Sequence, residues 1–214
     1  MDAPHFHSYT PAEGHGLAHD PLNAIVGPRP IGWISTLGAD GVRNLAPYSF
    51  FNLFSYTPPI IGFCSIGEKD SLANARETGA FVWNLVTRAQ AEAMNMSCAA
   101  VRADVDEFAL AGLDALPSDV VAPPRVAGSP VQFECRVTQI VRLAALSGAP
   151  TASWMVFGEA VRIHIDPACI VEGVYRTALP EPILRGGGPA DYFAVTGDRR
   201  FEMRRPAPPP GMAR

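Results

Sequence analysis

Asn44-Leu45-Ala46-Pro47-Tyr48-Ser49-Phe50-Phe51-Asn52 stands where the flanking pattern asks for a strand, yet it is an odd strand. A core strand fills such positions with Val and Ile, whereas Asn, Pro and Ser interrupt the apolar run here. Pro47 has no N–H to give to a ladder, so the segment belongs at a sheet edge or around a bulge. Backbone groups freed there, with Asn44, Ser49 and Asn52, can hydrogen-bond a planar heteroaromatic ligand while Phe50 or Phe51 packs beside it. A kinked edge strand with its polar groups satisfied inside the protein explains the same residues. Both readings stay open on the pattern alone.

Working outward, Pro28-Arg29-Pro30 sets an extended entry to a strand over 31–37. Gly38-Ala39-Asp40-Gly41 is turn chemistry, which predicts a hairpin into a second strand over 42–51. Thr57-Pro58-Pro59 breaks the chain again before a buried strand over 60–66. Asp70 is placed to cap a short helix over 71–78, and Gly79 is its stop signal. Strand character returns over 80–86, and 88–100, free of Gly and Pro, predicts a second helix. A connector punctuated by Pro and Asp then runs to about Pro130.

Two strong strand signals close the domain. In 131–138, Val131, Phe133, Cys135 and Val137 alternate with Gln132, Glu134, Arg136 and Thr138, so one face is expected buried and the other wet. Residues 154–166 repeat the pattern; Glu159 falls on the apolar phase, pointing to a bulge at Gly158 or a paired buried acid. His164 falls on the polar phase and is expected to be solvated. Strands dominate without the regular strand–helix alternation of a parallel doubly wound sheet. The expected fold is mainly β, a closed or nearly closed antiparallel barrel with a few interposed helices.

Composition bounds the rest. The 214 residues, 48% apolar and 18% charged, suit one domain over 28–200, with an N-terminal arm over 1–27 and a flexible tail over 201–214. A net charge of −4 gives no electrostatic case for nucleic acid or an anionic membrane surface. No apolar stretch approaches the roughly 20 residues a bilayer needs, and the start Met1-Asp2-Ala3-Pro4-His5 lacks a signal pattern, so a cytoplasmic location is expected. Cys64, Cys98, Cys135 and Cys169 are far apart and read as small core residues. His5, His7, His15 and His19 crowd the arm without a ligand set, and no metal is expected.

Three further features bear on chemistry. Lys69 is the only lysine among 17 basic residues, between Ser65 and the Asp70-Ser71 helix start, where an ammonium, hydroxyls and helix N–H groups suit a phosphate. A plain capped helix with Lys69 in solvent is the other reading. Arg185-Gly186-Gly187-Gly188-Pro189 lacks a following helix, so it is no dinucleotide fingerprint; a turn carrying Arg185 and Tyr192 to a pocket rim and a surface loop both fit. No G-x-S-x-G and no paired nucleophile and base occur, and Asp104, Asp106 and Glu107 read as solvated carboxylates. No residue is assigned a catalytic role, which suits an enzyme whose cofactor does the hard chemistry.

Together these segments resemble the flavin reductase-like family, the FMN-binding split-barrel proteins that include the flavoredoxins. The likeness rests on Arg29-Pro30-Ile31 through Ser35-Thr36, Asn44–Asn52, Pro58-Pro59, Lys69-Asp70-Ser71, Asn74 and Thr78-Gly79-Ala80-Phe81-Val82-Trp83-Asn84-Leu85. It implies a split β-barrel that binds FMN non-covalently at a homodimer interface. It implies Lys69, Ser71 and Ser65 at the phosphate, with Asn44, Ala46, Ser49 and Asn52 along the isoalloxazine and ribityl. Leu45, Pro47, Phe50, Asp70, Arg185 and Tyr192 complete the expected cofactor-binding set. The implied activity is hydride transfer from NADH or NADPH to FMN, with onward delivery to a partner monooxygenase or other electron acceptor. The alternative is an FMN-carrying electron-transfer protein that oxidises no nicotinamide. The Gly-Asp-His segment of some NADH-dependent relatives has no counterpart, Gly158-Glu159-Ala160 standing on the comparable strand.

Overall fold

The turn at Gly38–Gly41 does what its composition predicts in the computed structural model, which describes residues 5–208 and 212. Strand β1 (Gly32–Leu37) folds back on β2 (Arg43–Tyr48), with Thr36 opposite Asn44 and Gly32 opposite Tyr48. The expected single strand over 42–51 stops at Tyr48. A separate strand, β3 (Phe51–Tyr56), follows and pairs with β4 (Pro59–Ile66). Helix α1 (Asp70–Thr78) leads into β5 (Ala80–Asn84). The long hairpin of β6 (Val131–Ala144) and β7 (Pro150–Ile165) supplies the last two strands of the main sheet.

All seven strands form one antiparallel sheet in the order β2-β1-β5-β6-β7-β4-β3. Its two edges are therefore β2 and β3, which are neighbours in the chain. Only Ser49 and Phe50 separate them, a span of at most about 11 Å between Tyr48 and Phe51 Cα atoms. A flat sheet would hold these edges roughly 29 Å apart. The sheet must curl until its edges meet, and no β2–β3 ladder joins them, so the barrel is split along that seam.

The barrel interior is filled by Ile34, Tyr48, Phe63, Leu72, Phe81 and Val156, among others. Phe63 contacts Tyr48 at 4.7 Å and Phe81 at 5.4 Å between ring centroids, so the first edge strand packs on β4 across the barrel. A second cluster, with Trp33, Leu45, Met94 and Phe108, lies on the outer face of β1 and β2. It is covered by α2 (Ala91–Met96) and α3 (Glu107–Leu110). Trp33 is anchored there, its indole N–H donating to Ser97 Oγ at 3.0 Å. A small hairpin of β8 (Ile183–Gly187) and β9 (Asp191–Ala194) packs beside Arg29–Pro30.

Several expectations are corrected. Lys69, not Asp70, occupies the N-cap position of α1, while Gly79 ends the helix in the left-handed conformation with its N–H on Ala75 O at 3.1 Å. The helix expected over 88–100 shrinks to α2 after a 3₁₀ turn at Arg88–Gln90. Cys98 is exposed, while Cys64, Cys135 and Cys169 are buried. Residues 1–4 of the expected arm, and 209–211, 213 and 214 of the expected tail, lie outside the described residues.

The wet face expected for 131–138 holds for Arg136 and Thr138, which are exposed, but is covered at Gln132 and Glu134. Glu134 is fully buried and accepts from the N–H groups of Asp119 (2.8 Å) and Val120 (2.7 Å), which dock the connector onto the sheet. His164, expected in solvent, contacts Glu134 Oε1 at 2.7 Å. Burial pushes the Glu134 carboxyl up, but these hydrogen bonds and His164 outweigh it and leave it below its usual range. Asp119, Glu134 and His164 hold ligand-type atoms within 4.8 Å of one another. Asp119 is already paired with Arg162 at 3.0 Å, so the group reads as a latch between connector and sheet.

The bulge anticipated at Gly158 is present, as a register shift between Phe157 and Gly158 against β6. Its glycine has a packing cause: a Cβ there would stand 2.5 Å from the Phe81 ring in the barrel core. Gly158→Ala is expected to lower stability by about 1–3 kcal/mol, measured by denaturant unfolding. An unchanged midpoint would mean that the Phe81 ring yields freely.

Candidate functional site

The turn between β4 and α1 creates the site. Ser65 is fully buried and donates to Gly67 O at 2.9 Å, tightening the turn. Lys69 follows in extended conformation, and its carbonyl accepts the first helical N–H groups, those of Leu72 and Ala73 (both 3.0 Å). The N–H groups of Asp70 and Ser71 precede these bonds and face the helix start, where the dipole favours an anion. The Lys69 ammonium makes no hydrogen bond or ion pair among the described residues.

Two hydroxyls converge on the same place. Ser71 Oγ is buried and accepts from Asn44 Nδ2 at 2.8 Å, so its own proton is free to donate elsewhere. Asn44 is held in turn by Thr36 Oγ1 at 3.0 Å, and Asn74 donates to that same oxygen at 3.1 Å. The Tyr48 hydroxyl lies beside Ser71 and Ser65, yet it is buried without a hydrogen-bond partner among the described residues. Burial pushes its phenol up, so it is present as a donor.

These groups border a cavity of about 340 Å³ lined by Asn44, Ala46, Pro47, Tyr48, Lys69 and Ser71. Its far wall is built by the Ser97–Cys98 corner after α2 and by Glu107. A second cavity of about 230 Å³ lies across Pro47, Tyr48 and Lys69, which line both, and reaches Ser49, Phe50, Arg29 and Arg185. The two adjoin along the seam of the barrel, and both ends carry polar groups: Ser71 and Asn44 at the α1 end, Arg29, Ser49 and Arg185 beside Phe50 at the other.

Not every expected residue arrives there. Leu45 points into the outer core, and its N–H goes to Glu107 Oε2 at 3.0 Å. Asn52 is exposed and accepts from the neighbouring Leu53 N–H. Ser65 lies beneath the turn and lines neither cavity. Arg185 does line the second cavity, but it gives its guanidinium to the carbonyls of Asp191 (2.8 Å) and Gly188 (2.9 Å), holding its own hairpin turn. Tyr192 stacks with Arg185 but opens onto a different cavity, of about 410 Å³, with Arg88 and Glu92.

Other residues enter the site without having been foreseen. Arg29 donates to Ser49 O at 3.1 Å and covers the Phe50 ring at 5.4 Å, fixing the linker between the sheet edges. Glu107, expected in solvent, is buried, and burial pushes its carboxyl above the usual range, with Asp70 and Asp106 adding to the effect. Asp106 caps α3 through Phe108 N–H at 2.9 Å and accepts from Arg43 Nε at 2.7 Å, so Glu107 is rigidly presented. An acid at the start of an apolar Glu-Phe-Ala-Leu turn was the available signal for both.

The donor set suits a phosphomonoester: an unpaired ammonium, a free serine proton, an orphaned phenol and a helix N-terminus, all at one end of a groove. Comparison with known proteins gives the likenesses of the chain as a whole. Residues 27–177 match the model of the flavin reductase like domain. An uncharacterised protein of Halalkalibacterium halodurans is 33% identical over 191 residues, covering 86% of this chain and 89% of that one. The structure of nitrilotriacetate monooxygenase component B from Bacillus cereus superposes with a TM-score of 0.80 at 26% identity, over 95% of this chain and 98% of that one. Pseudomonas fluorescens 2-nitrobenzoate 2-nitroreductase gives 0.76 at 31% identity, over 89% and 92%.

A test follows from the orphaned phenol. Tyr48→Phe removes a buried hydroxyl that has no partner, so the ligand-free protein is expected to keep its stability or gain about 1 kcal/mol. Thermal unfolding checks this. A loss of more than that would mean the hydroxyl is bonded within the fold.

Proposed function

The chain belongs to the flavin reductase-like domain family, and on that premise we propose that it is an FMN-binding oxidoreductase. It takes hydride from NADH or NADPH and passes electrons onward. The observation that carries this reading is the unpaired Lys69 beside the free Ser71 proton and the orphaned Tyr48 hydroxyl at the start of α1. Bound flavin would supply the chemistry, accepting a hydride and returning two electrons.

The residues of the chain bind and orient. Lys69, Ser71 and Tyr48 hold the phosphate, and the α1 N-terminus adds its dipole. Ala46 and Pro47 line the groove between its two ends, where a ribityl chain has room. Ser49 and Phe50, fixed by Arg29, offer polar backbone and an aromatic face for the ring system. Leu45, Asn52, Ser65, Arg185 and Tyr192 act behind or beside the groove, by shaping β2, the linker and the hairpin.

A homodimer belongs to the same proposal. Leu53, Phe54 and Tyr56 on edge strand β3 are exposed, with Tyr56 at 87%, and a second copy would cover them. A partner monooxygenase is supported by the likeness to a monooxygenase component B. No helix among the described residues is long and apolar enough to cross a membrane; a cytoplasmic location stays part of the proposal. The carrier reading, with electrons arriving from another protein, is favoured by Gly158-Glu159-Ala160 standing where some NADH-dependent relatives carry Gly-Asp-His.

Lys69→Ala is expected to weaken FMN binding by about 1.5–3 kcal/mol, the scale of a hydrogen bond to a charged group. Titration with flavin fluorescence reads it, and unchanged affinity would make the lysine a surface charge. Anaerobic mixing of the FMN-loaded protein with NADH and NADPH is expected to bleach the flavin absorption. No bleaching with either selects the carrier.

A further inference from the structure

The cavity at the start of α1 holds more negative than positive charge. Lys69 is the one cation lining it, against the carboxylates of Glu68, Asp70 and Glu107. Glu68 turns to Arg76, at 3.3 Å. Asp70 sits in the first helical turn, where the dipole favours it. Glu107 has no such relief: the neighbouring cation on β2, Arg43, is paired with Asp106. The other titratable groups on these walls, Tyr48 and Cys98, carry no positive charge.

Glu107 is also fixed in place. One oxygen accepts the Leu45 N–H, and no side-chain donor reaches the other among the described residues. Helix α3 cannot swing it away, because Asp106 ties the helix to Arg43. An anion entering the cavity therefore meets a carboxyl that cannot retreat, with the single cation Lys69 to serve both.

We propose that Glu107 takes up a proton from solvent when a phosphomonoester occupies this cavity, making ligand affinity proton-linked. The inference rests on the phosphate reading of the site given above. A second negative charge nearby disfavours the ionised carboxylate, and burial has already weakened that form. By linkage, a ligand that raises the pKa of a group binds best when the group is protonated. Affinity is highest below the free-state pKa and falls as pH rises towards the ligand-bound pKa, by up to about tenfold per pH unit for one proton. The window opens above the ordinary carboxylate range.

The experiment uses full-length protein freed of flavin, titrated by fluorescence with FMN and with riboflavin as the phosphate-free probe, from about pH 5.5 to about pH 8.5. Glu107→Gln keeps an acceptor for Leu45 N–H and removes the charge. The FMN affinities of wild type and E107Q are expected to converge as pH falls and to diverge as it rises, with E107Q about tenfold tighter or more at the alkaline end. Riboflavin is expected to show no such divergence. The second ionisation of the FMN phosphate, near pH 6, is common to both proteins and cancels in their ratio.

Calorimetry of FMN binding to wild type and to E107Q in two buffers of different ionisation enthalpy counts the proton directly, the phosphate's own ionisation being common to both. The wild type is expected to draw in more protons than E107Q. Parallel pH profiles, or equal proton counts, for wild type and E107Q overturn the proposal while leaving the flavin site intact. Absence of FMN binding at every pH overturns the flavin site and this inference together.

Discussion

Two residues, Ser49 and Phe50, join strands that lie at opposite edges of a seven-stranded sheet. That covalent tether sets the curvature of the whole domain, because a chain step of about 11 Å cannot bridge the width of a flat sheet. Closure brings Tyr48 against Phe63 and surrounds a core of Phe81, Ile34 and Val156. It also leaves a seam in which backbone groups of β2 and β3 are not paired with each other. A seam of that kind would invite aggregation if it stayed open. Here Glu107 occupies the Leu45 N–H, Pro47 has none to offer, and Arg29 binds the linker carbonyl at Ser49.

The ligand groove follows from the same tether. Because β2 returns to the barrel end where β4 finishes, the β4–α1 turn lies beside Asn44 and Tyr48. Ser71 then meets Asn44, and a lysine that is solitary in the sequence meets a phenol from a strand far from it in the chain. The anion end is a product of sheet closure, with the helix dipole as a contribution from local structure.

The hairpins, the Gly79 stop and the bulge at Gly158 were legible because each depends on residues within a few positions. Pro47 marked an edge strand for the same reason. The errors have a common origin. Glu107, Glu134 and His164 looked solvated because a polar phase on a strand, or a carboxylate in a connector, is usually wet. The connector folds back over the sheet and buries them; two backbone N–H groups then satisfy Glu134 and one holds Glu107, partners that the pattern cannot show. Arg185 reaches the second cavity, but the carbonyls of its own turn take its donors, which the pattern cannot show either.

Sequence alone determined the strand-rich architecture, the placement of α1 after a buried strand, and Lys69 and Ser71 as candidates for an anion; Tyr48 it did not single out. These are local properties: periodicity, turn chemistry, and the presence of one lysine beside a helix start. Tertiary structure decided which of those residues share a cavity, and that Glu107 faces it. A side chain's partners and its exposure to water depend on segments brought together by closure of the sheet, and the charge a buried carboxyl carries depends on both.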